Sequence, residues 1–394
     1  MLPTPLFPTR AVAALNAVAQ ALLFPAAFTL NLLLDLRPTT AQRRLRCRWV
    51  DVAARAALGS LLAVLLLLAM PAAVVGLLLW LPAQRARRPF AYSCWVPEGP
   101  AMPWDGRRRR EFTFVSANVC LLPSGLAKFS NLGQTGSRAR FLASSLVPQY
   151  PTGPKGGAPG DPKGAIRGQP KGDFVCLQEV FDPMAEAVLC RQLGLRYPHV
   201  FHGVGAGGLH DGGLKLLGSG LLVAARYPPL AASFYCYPNG AGEDALAAKG
   251  LLCIQVLLGS QDGRRVLGYL SCTHLQAPER DTAVRSEQLR AALRWGRHFR
   301  EQHTNTGDVV AFDVLCGDLN FDNCSHGGGG GGGNGGVGRN GIWGGVLGYG
   351  GGGGVLGGGG MGYGGDGGVL GYGGTGYGGG YWDMGGMGGW GWGG

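Results

Sequence analysis

No two cysteines in this 394-residue chain stand in CxxC spacing, and no Cys/His group has zinc-ligand intervals. That removes a zinc ribbon or a thioredoxin-like centre from consideration. The ten cysteines do not read as a disulfide framework either. Cys176, Cys253, Cys272 and Cys316 each sit inside an apolar, strand-like run, where a free thiol behaves as a small hydrophobe. The reading is a reduced, cytosol-facing domain. Acidic residues are scarce: 24 Asp+Glu against 35 Lys+Arg, a net charge of +11 and a pI near 9.3. Such a balance points to an anionic partner, whether nucleic acid, lipid surface or phosphorylated substrate. Collagen is excluded despite 74 glycines, because the Gly-rich stretch around 153–172 repeats every four residues and not every three.

Charge is missing altogether from residues 11–34 and 56–84. Each run is long enough to cross about 30 Å of hydrocarbon as a helix. Each also carries an interior proline, Pro25 and Pro71, and proline kinks a helix. Basic residues flank both runs: Arg37, Arg43, Arg44, Arg46 and Arg48 between them, then Arg85, Arg87, Arg88 and Arg107–Arg110 after the second. Basic flanks favour the cytoplasmic side. Two full crossings would put these flanks on opposite sides, whereas two kinked re-entrant segments leave all of them cytoplasmic. The second arrangement is preferred. The Arg clusters would then meet anionic phospholipid head groups. Residues 1–90 are therefore read as a membrane region.

Downstream, apolar runs stop abruptly on polar residues. EFTFVSANVCLLP breaks at Asn118, FVCLQEV ends on Gln178 and Glu179, and the run from Arg265 ends on Thr273 and His274. VVAFDVLCGDLNFDN stops at Gly317, followed at once by Asp318 and Asn320. Buried strands have this look, and residues i and i+2 of a strand face one side. Any one of these ends, taken singly, also reads as an ordinary turn. Together, two amides, two carboxylates and an imidazole suit a metal-assisted phosphodiester site. A hard cation needs a carboxylate such as Glu179. The phosphoryl oxygens need donors such as Asn118, Asn320 and His274. Further strands are expected over 220–229, 250–258 and 265–274, and a surface helix over 281–302.

The segments SANVCLLP, CLQEVFD, GSGLLVAARYP, DALAAKG, CTHLQAP and CGDLNFDNCS resemble the neutral sphingomyelinases of the DNase-I-like endonuclease/exonuclease/phosphatase superfamily. The resemblance runs over about residues 1–325 and is closest to the membrane-anchored type. It implies an α/β four-layer sandwich, two packed mixed sheets flanked by helices, preceded by two hydrophobic membrane helices. It implies Mg2+ held chiefly by Glu179 with Asn118 nearby, His274 and Asn320 on the phosphate, and Asp318 positioning the nucleophilic water or its base. A regulatory loop would carry Asp244 and Lys249; from sequence alone Lys249 reads equally well as a solvated lysine. The implied substrate is sphingomyelin, cleaved to ceramide and phosphocholine at a cytosol-facing surface of the Golgi, the plasma membrane or another endomembrane. Anionic phospholipids are the implied activators, and nucleic acid is not expected. The other readings are a catalytically dead membrane-bound interaction protein, or a different phosphodiesterase or phosphatase on the same fold.

The chain departs from that pattern late. The superfamily completes its site with an adjacent Asp-His pair, and none of the seven histidines here follows an aspartate. A partial catalytic domain is assigned to 111–325, with a flexible insert at 150–173, and a Gly-rich low-complexity tail to 326–394. GVLGYGG occurs in the tail at 345–351 and 368–374. The tail is expected to add no strand, so the fold would be incomplete at its C-terminus and the chain inactive or impaired. A gene-model error is the preferred origin of the tail.

Overall fold

The computed structural model describes residues 1–44, 48–95, 104–105, 110–147, 172–210 and 213–321, with the short strands Gly345–Tyr349 and Gly371–Tyr372. Residues 150–171 of the expected insert, the basic run 107–109 and the rest of the tail lie outside the described residues.

Two long helices open the chain, α1 (Arg10–Asp35) and α3 (Arg48–Arg85), joined through the one-turn α2 (Thr40–Arg44). Each long helix continues past its interior prolines, Pro25 in α1 and Pro71 and Pro82 in α3. The two run antiparallel. Gln84 donates to Asn16 at one end, Gly76 faces Ala19 and Leu23 midway, and Gly59 faces Leu33 and Leu36 at the other. Most of their large apolar side chains point outward, Leu67 and Leu68 among them.

Then come β1 (Ala91–Cys94), β2 (Phe114–Leu121), α4 (Ser124–Ala127), α5 (Thr135–Leu146), β3 (Phe174–Val180), α6 (Pro183–Leu193), β4 (His199–His202), β5 (Gly208–His210), β6 (Gly213–Lys215) and β7 (Leu222–Ala225). The chain continues through β8 (Pro229–Cys236), β9 (Gly250–Gln261), β10 (Arg264–His274), α7 (Thr282–His303) and β11 (Val309–Asp318). One sheet has the order β1-β4-β7-β3-β2. The other has β8, β9, β10 and β11 side by side. Each contains one parallel pair, β2 with β3 and β10 with β11.

Period-two alternation builds the layers. Phe174 and Cys176 of β3 face the second sheet, where Ile254, Leu270, Cys272 and Cys316 complete the central core. Their neighbours Val175 and Leu177 face outward onto Ala139 and Ala143 of α5 and Leu189 and Leu193 of α6. On the far side, Ala292 and Phe299 of α7 cover Leu251, Cys253 and Tyr269. The result is helix, sheet, sheet, helix: the four-layer α/β sandwich expected. Both faces of each sheet are covered, which is why the strands read as continuous apolar runs.

Two expectations need correction. The strand expected over 220–229 is the shorter β7, and Pro229 already begins β8. The tail does add strands: β12 (Gly345–Tyr349) pairs antiparallel with β11, from Asp313 opposite Tyr349 to Gly317 opposite Gly345, and β13 (Gly371–Tyr372) pairs with β12. The physical reason is the open edge of β11. An edge strand offers unpaired backbone N–H and C=O groups, and any extended backbone can meet them, glycines included.

Candidate active site

The site forms where the two parallel pairs end against each other. In the first sheet Asn118 lies opposite Gln178, and the register then slips by one residue before Leu121 pairs with Val180. That bulge, with positive φ at Cys120 (47°) and Glu179 (60°), turns the chain so that Asn118 and Glu179 both serve the cleft. Arg138 from α5 supports the bend by donating to the carbonyls of Val119 (3.2 Å), Cys120 (3.0 Å) and Gly133 (3.0 Å). In the second sheet the register slips once, between Leu267 and Gly268, and is regular from there to its end, with His274 directly opposite Asp318. Gly317 is obligatory there: a Cβ would overlap the backbone of Thr273. Asn320 follows at φ 52°, and its side chain donates to the Leu275 carbonyl at 3.0 Å.

The two halves meet on one amide. Asn118 Nδ2 donates to Glu179 Oε1 and to Asp318 Oδ2, each at 2.8 Å, while its Oδ1 accepts from the Cys120 N–H. His274 is 1% exposed and its Nε2 stands 3.9 Å from each of those carboxylate oxygens. Lys249 Nζ lies 3.3 Å from the same Nε2, 2.9 Å from Asp244 Oδ1 and 3.1 Å from the Leu275 carbonyl. Burial, and secondarily the Lys249 ammonium, push the His274 pKa well below the usual imidazole value, so the ring is neutral. With Lys249 donating, Nε2 is the acceptor and the proton sits on Nδ1, which is buried without a partner. Burial raises the Asp318 carboxyl above its ordinary value, against the opposing effect of the Asn118 and Asn320 hydrogen bonds. The Cys120 thiol is pushed up to about 11 by burial and by Glu179.

The structure thus gathers Asn118, Glu179, His274, Asp318 and Asn320 from four strand ends, and brings Lys249 and Asp244 against them. Lys249 is not a solvated loop lysine: it is buried. Sequence reading missed Arg138, whose position on a helix gives no signal, and the convergence of the Cys176, Cys272 and Cys316 thiols one layer below the site. That layer follows from i/i+2 spacing, each thiol lying two residues before Gln178, His274 or Asp318.

A hard cation fits this donor set. Glu179 keeps its carboxylate 19% exposed, and Asp318 lies across the amide from it, giving oxygen donors of one sign in a partly dry cleft. Among the described residues no three His, Cys, Asp or Glu side chains are placed to enclose a metal. One or two carboxylates are the protein donors that a hard cation retaining several waters takes.

Residues 139–392 match the family model described as Endonuclease/Exonuclease/phosphatase family. Sphingomyelin phosphodiesterase 5 of Mus musculus is 44% identical over 338 residues, covering 82% of this chain and 68% of that protein. The chain belongs to this family, in the branch of the sphingomyelin phosphodiesterases. Sphingomyelin phosphodiesterase 5 of Danio rerio is 35% identical over 405 residues, covering 81% of this chain and 74% of the relative. Sphingomyelin phosphodiesterase 3 of Rattus norvegicus is 29% identical over 509 residues, with coverages of 81% and 78%. Among solved structures, SmcL is similar at a TM-score of 0.38 and 22% identity, over 54% of this chain and 65% of that one.

Proposed function

We propose that this site hydrolyses the phosphodiester of sphingomyelin with Mg2+, at a membrane surface. The observation that carries the reading is the shared Asn118 amide, which ties a carboxylate from each sheet together beside a neutral, buried histidine. Glu179, with Asp318 beside it, would hold the ion. When bound, Mg2+ supplies charge to phosphoryl oxygens and lowers the pKa of a ligated water. Asn320 Nδ2 would donate to the phosphate, and His274 would do so from Nε2 only after Lys249 leaves and the ring proton moves there. Asp318, pushed toward protonation by burial, is suited to orient the attacking water. Water oxygen bonds to phosphorus, the bond from phosphorus to the ceramide oxygen breaks, and that oxygen takes a proton. Lys249 caps His274 Nε2 in this conformation. Release of its contact with Asp244 would free that nitrogen, so the loop carrying both residues is assigned as regulatory.

The membrane assignment rests on where the helix pair lies. At one end Gly207 N donates to Gln84, and Arg87 holds the carbonyls of Gly203 and Gly205. At the other, Thr40 donates to Asn131, Gly125 N donates to Asn31, and Asp35 pairs with Lys128 at 3.4 Å. Both ends, and the linking residues between the helices, touch the catalytic domain. That supports entry into lipid from one side, with Arg37, Arg43, Arg85 and Arg88 facing anionic head groups on the cytosolic face of the Golgi, plasma membrane or another endomembrane. Each helix continues through its proline positions, and entry from one side is the re-entrant arrangement preferred from the basic flanks. The domain plan is a membrane region 1–90, a catalytic region 111–325 and a tail 326–394.

One observation favours a second reading, a lipid-binding protein without turnover: no histidine follows an aspartate anywhere in the chain. Loss of a general base costs about two to four orders of magnitude in rate. A recombinant 1–394 chain assayed on sphingomyelin, phosphatidylcholine, DNA and inositol phosphates decides between them. Mg2+-dependent turnover confined to sphingomyelin supports the enzyme, and binding without turnover supports the second reading. Independently of turnover, Mg2+ should raise the melting temperature of the wild type and leave Glu179→Ala unmoved. An equal shift in both would remove Glu179 from the metal site.

A further inference from the structure

The β5–β6 ribbon is a small two-stranded sheet of its own, outside both large sheets. Leu209 and Leu214 are cross-strand partners on it, so their side chains share one face. Leu209 is 68% exposed and Leu214 37%. Leu216 (46%) and Leu246 (42%) adjoin them, since Leu216 N donates to the Leu246 carbonyl at 2.8 Å. Four exposed leucines gathered in one place form a patch that a water-facing surface rarely carries.

Its position says what covers it. Gly207 and Gly208 seat the ribbon on the end of α3, and a Cβ at Gly207 would overlap the Trp80 indole. Trp80 is buried under the ribbon, and the charges begin just over one helical turn beyond it, at Arg85, Arg87 and Arg88. An apolar helix that gives way to arginines marks the level of a membrane–water boundary. The patch therefore continues the outward-facing apolar surface of α1 and α3 at the depth where head groups give way to acyl chains. The one cation of β6 that could oppose this, Lys215, is turned inward and donates to the Ala245 carbonyl at 2.8 Å.

We propose that the β5–β6 ribbon, with Leu209, Leu214, Leu216 and Leu246, is a second lipid-inserting element that dips into the interfacial layer of the bilayer beside α3. The ribbon also grips the loop that holds Asp244. Lys215 binds Ala245, Leu216 and Leu217 bind the Leu246 carbonyl, and Ala248 N returns to Leu217. Insertion thus fixes the far side of the loop whose near side carries the Asp244–Lys249 contact. The proposal rests on the membrane assignment above and adds to it a contact outside the helices.

The test uses the full chain with vesicles of phosphatidylcholine and phosphatidylserine. A benzophenone amino acid replaces Leu209 or Leu214, and, as control, Leu195, which is 75% exposed at the opposite end of β4. After flotation and irradiation, acyl-chain adducts at 209 and 214 should exceed those at 195 about tenfold or more, the factor expected when one apolar side chain moves from water into hydrocarbon. Flotation with adducts no higher than at 195 overturns the ribbon proposal and leaves the membrane assignment standing. Crosslinks from 209 to a second copy of the chain in place of lipid overturn it as well. Failure to float overturns both. A Leu209→Gln, Leu214→Gln double variant with unchanged near-ultraviolet dichroism should show brominated-lipid quenching at α3 but a more protease-accessible 208–215 segment on vesicles. Equal protection of variant and wild type would also overturn the proposal.

Discussion

The two parallel pairs, β2–β3 and β10–β11, deliver equivalent cargo by different means. Each brings a carboxylate and a second polar side chain to a strand end. The first pair does so by breaking its own regularity: a bulge after Asn118, left-handed backbone at Cys120 and Glu179, and Arg138 bracing the bend from outside. The second slips once far from the site, between Leu267 and Gly268, then keeps its register to the last residue and relies on Gly317 lying flat against Thr273. Their surroundings differ too. β2 is the edge of its sheet, whereas β11 is covered by β12 from the tail. The bent half leaves Glu179 reachable from solvent, and the straight half keeps His274 dry. A phosphodiester site needs both conditions, one open position for ion and phosphate and one dry, neutral imidazole. The fold obtains them by placing the bulge of one parallel pair at the site and that of the other pair far from it.

The largest expected effect tests the straight half. A Cβ at position 317 meets backbone, which cannot swing aside as a side-chain tip can. Gly317→Ala should cost about 4 kcal/mol or more, the range of substitutions that break a packed core. Gly136→Ala on the exposed face of α5, where a Cβ meets nothing, should stabilise by about 0.5–1 kcal/mol. Urea unfolding of the pair in detergent measures the contrast. Near-equal midpoints would mean that β11 has room the structure does not show.

The next effect tests the bent half. Arg138 is buried enough for its own ionisation to be disfavoured, and its worth lies in the carbonyls it satisfies. Arg138→Ala leaves the Val119 and Cys120 carbonyls without that donor, at about 1–3 kcal/mol. Because those residues form the bend, faster amide exchange should appear at 119–121 and 179–180 and not at 273–275 or 316–318. Spread of the change into β10–β11 would show that the two halves are not independently supported.

Much of this was legible in the letters, for a physical reason. The abrupt stops of apolar runs at Asn118, Glu179, His274 and Asp318 reflect burial on both faces of each strand, so polarity can enter only at the ends. Arg138 was not legible because a helix carries such residues routinely, and only the bend it braces gives it meaning. The burial of Lys249 was not legible because it depends on a partner elsewhere in the fold, here His274. The tail strands escaped because composition records side chains, and sheet pairing at an edge asks only for backbone.

The smallest effect lies at the other end of the straight pair. Arg265 clasps Asp308 through two bonds, Nε to Oδ1 at 2.9 Å and Nη2 to Oδ2 at 2.6 Å, where β10 and β11 begin. The Arg265 hydrogen bonds hold the Asp308 carboxyl below its ordinary value. The contribution is therefore present above the unfolded carboxyl's value, about 4, and is lost as pH falls through the lower folded value. Since Arg265 is partly exposed, Asp308→Asn should cost only about 1 kcal/mol at pH 7. The gap between variant and wild type should close below about pH 4. A gap that persists into acid would mean that Asp308 acts through its bond from Asn305 N, bracing the turn before β11 and not the pairing of the two strands.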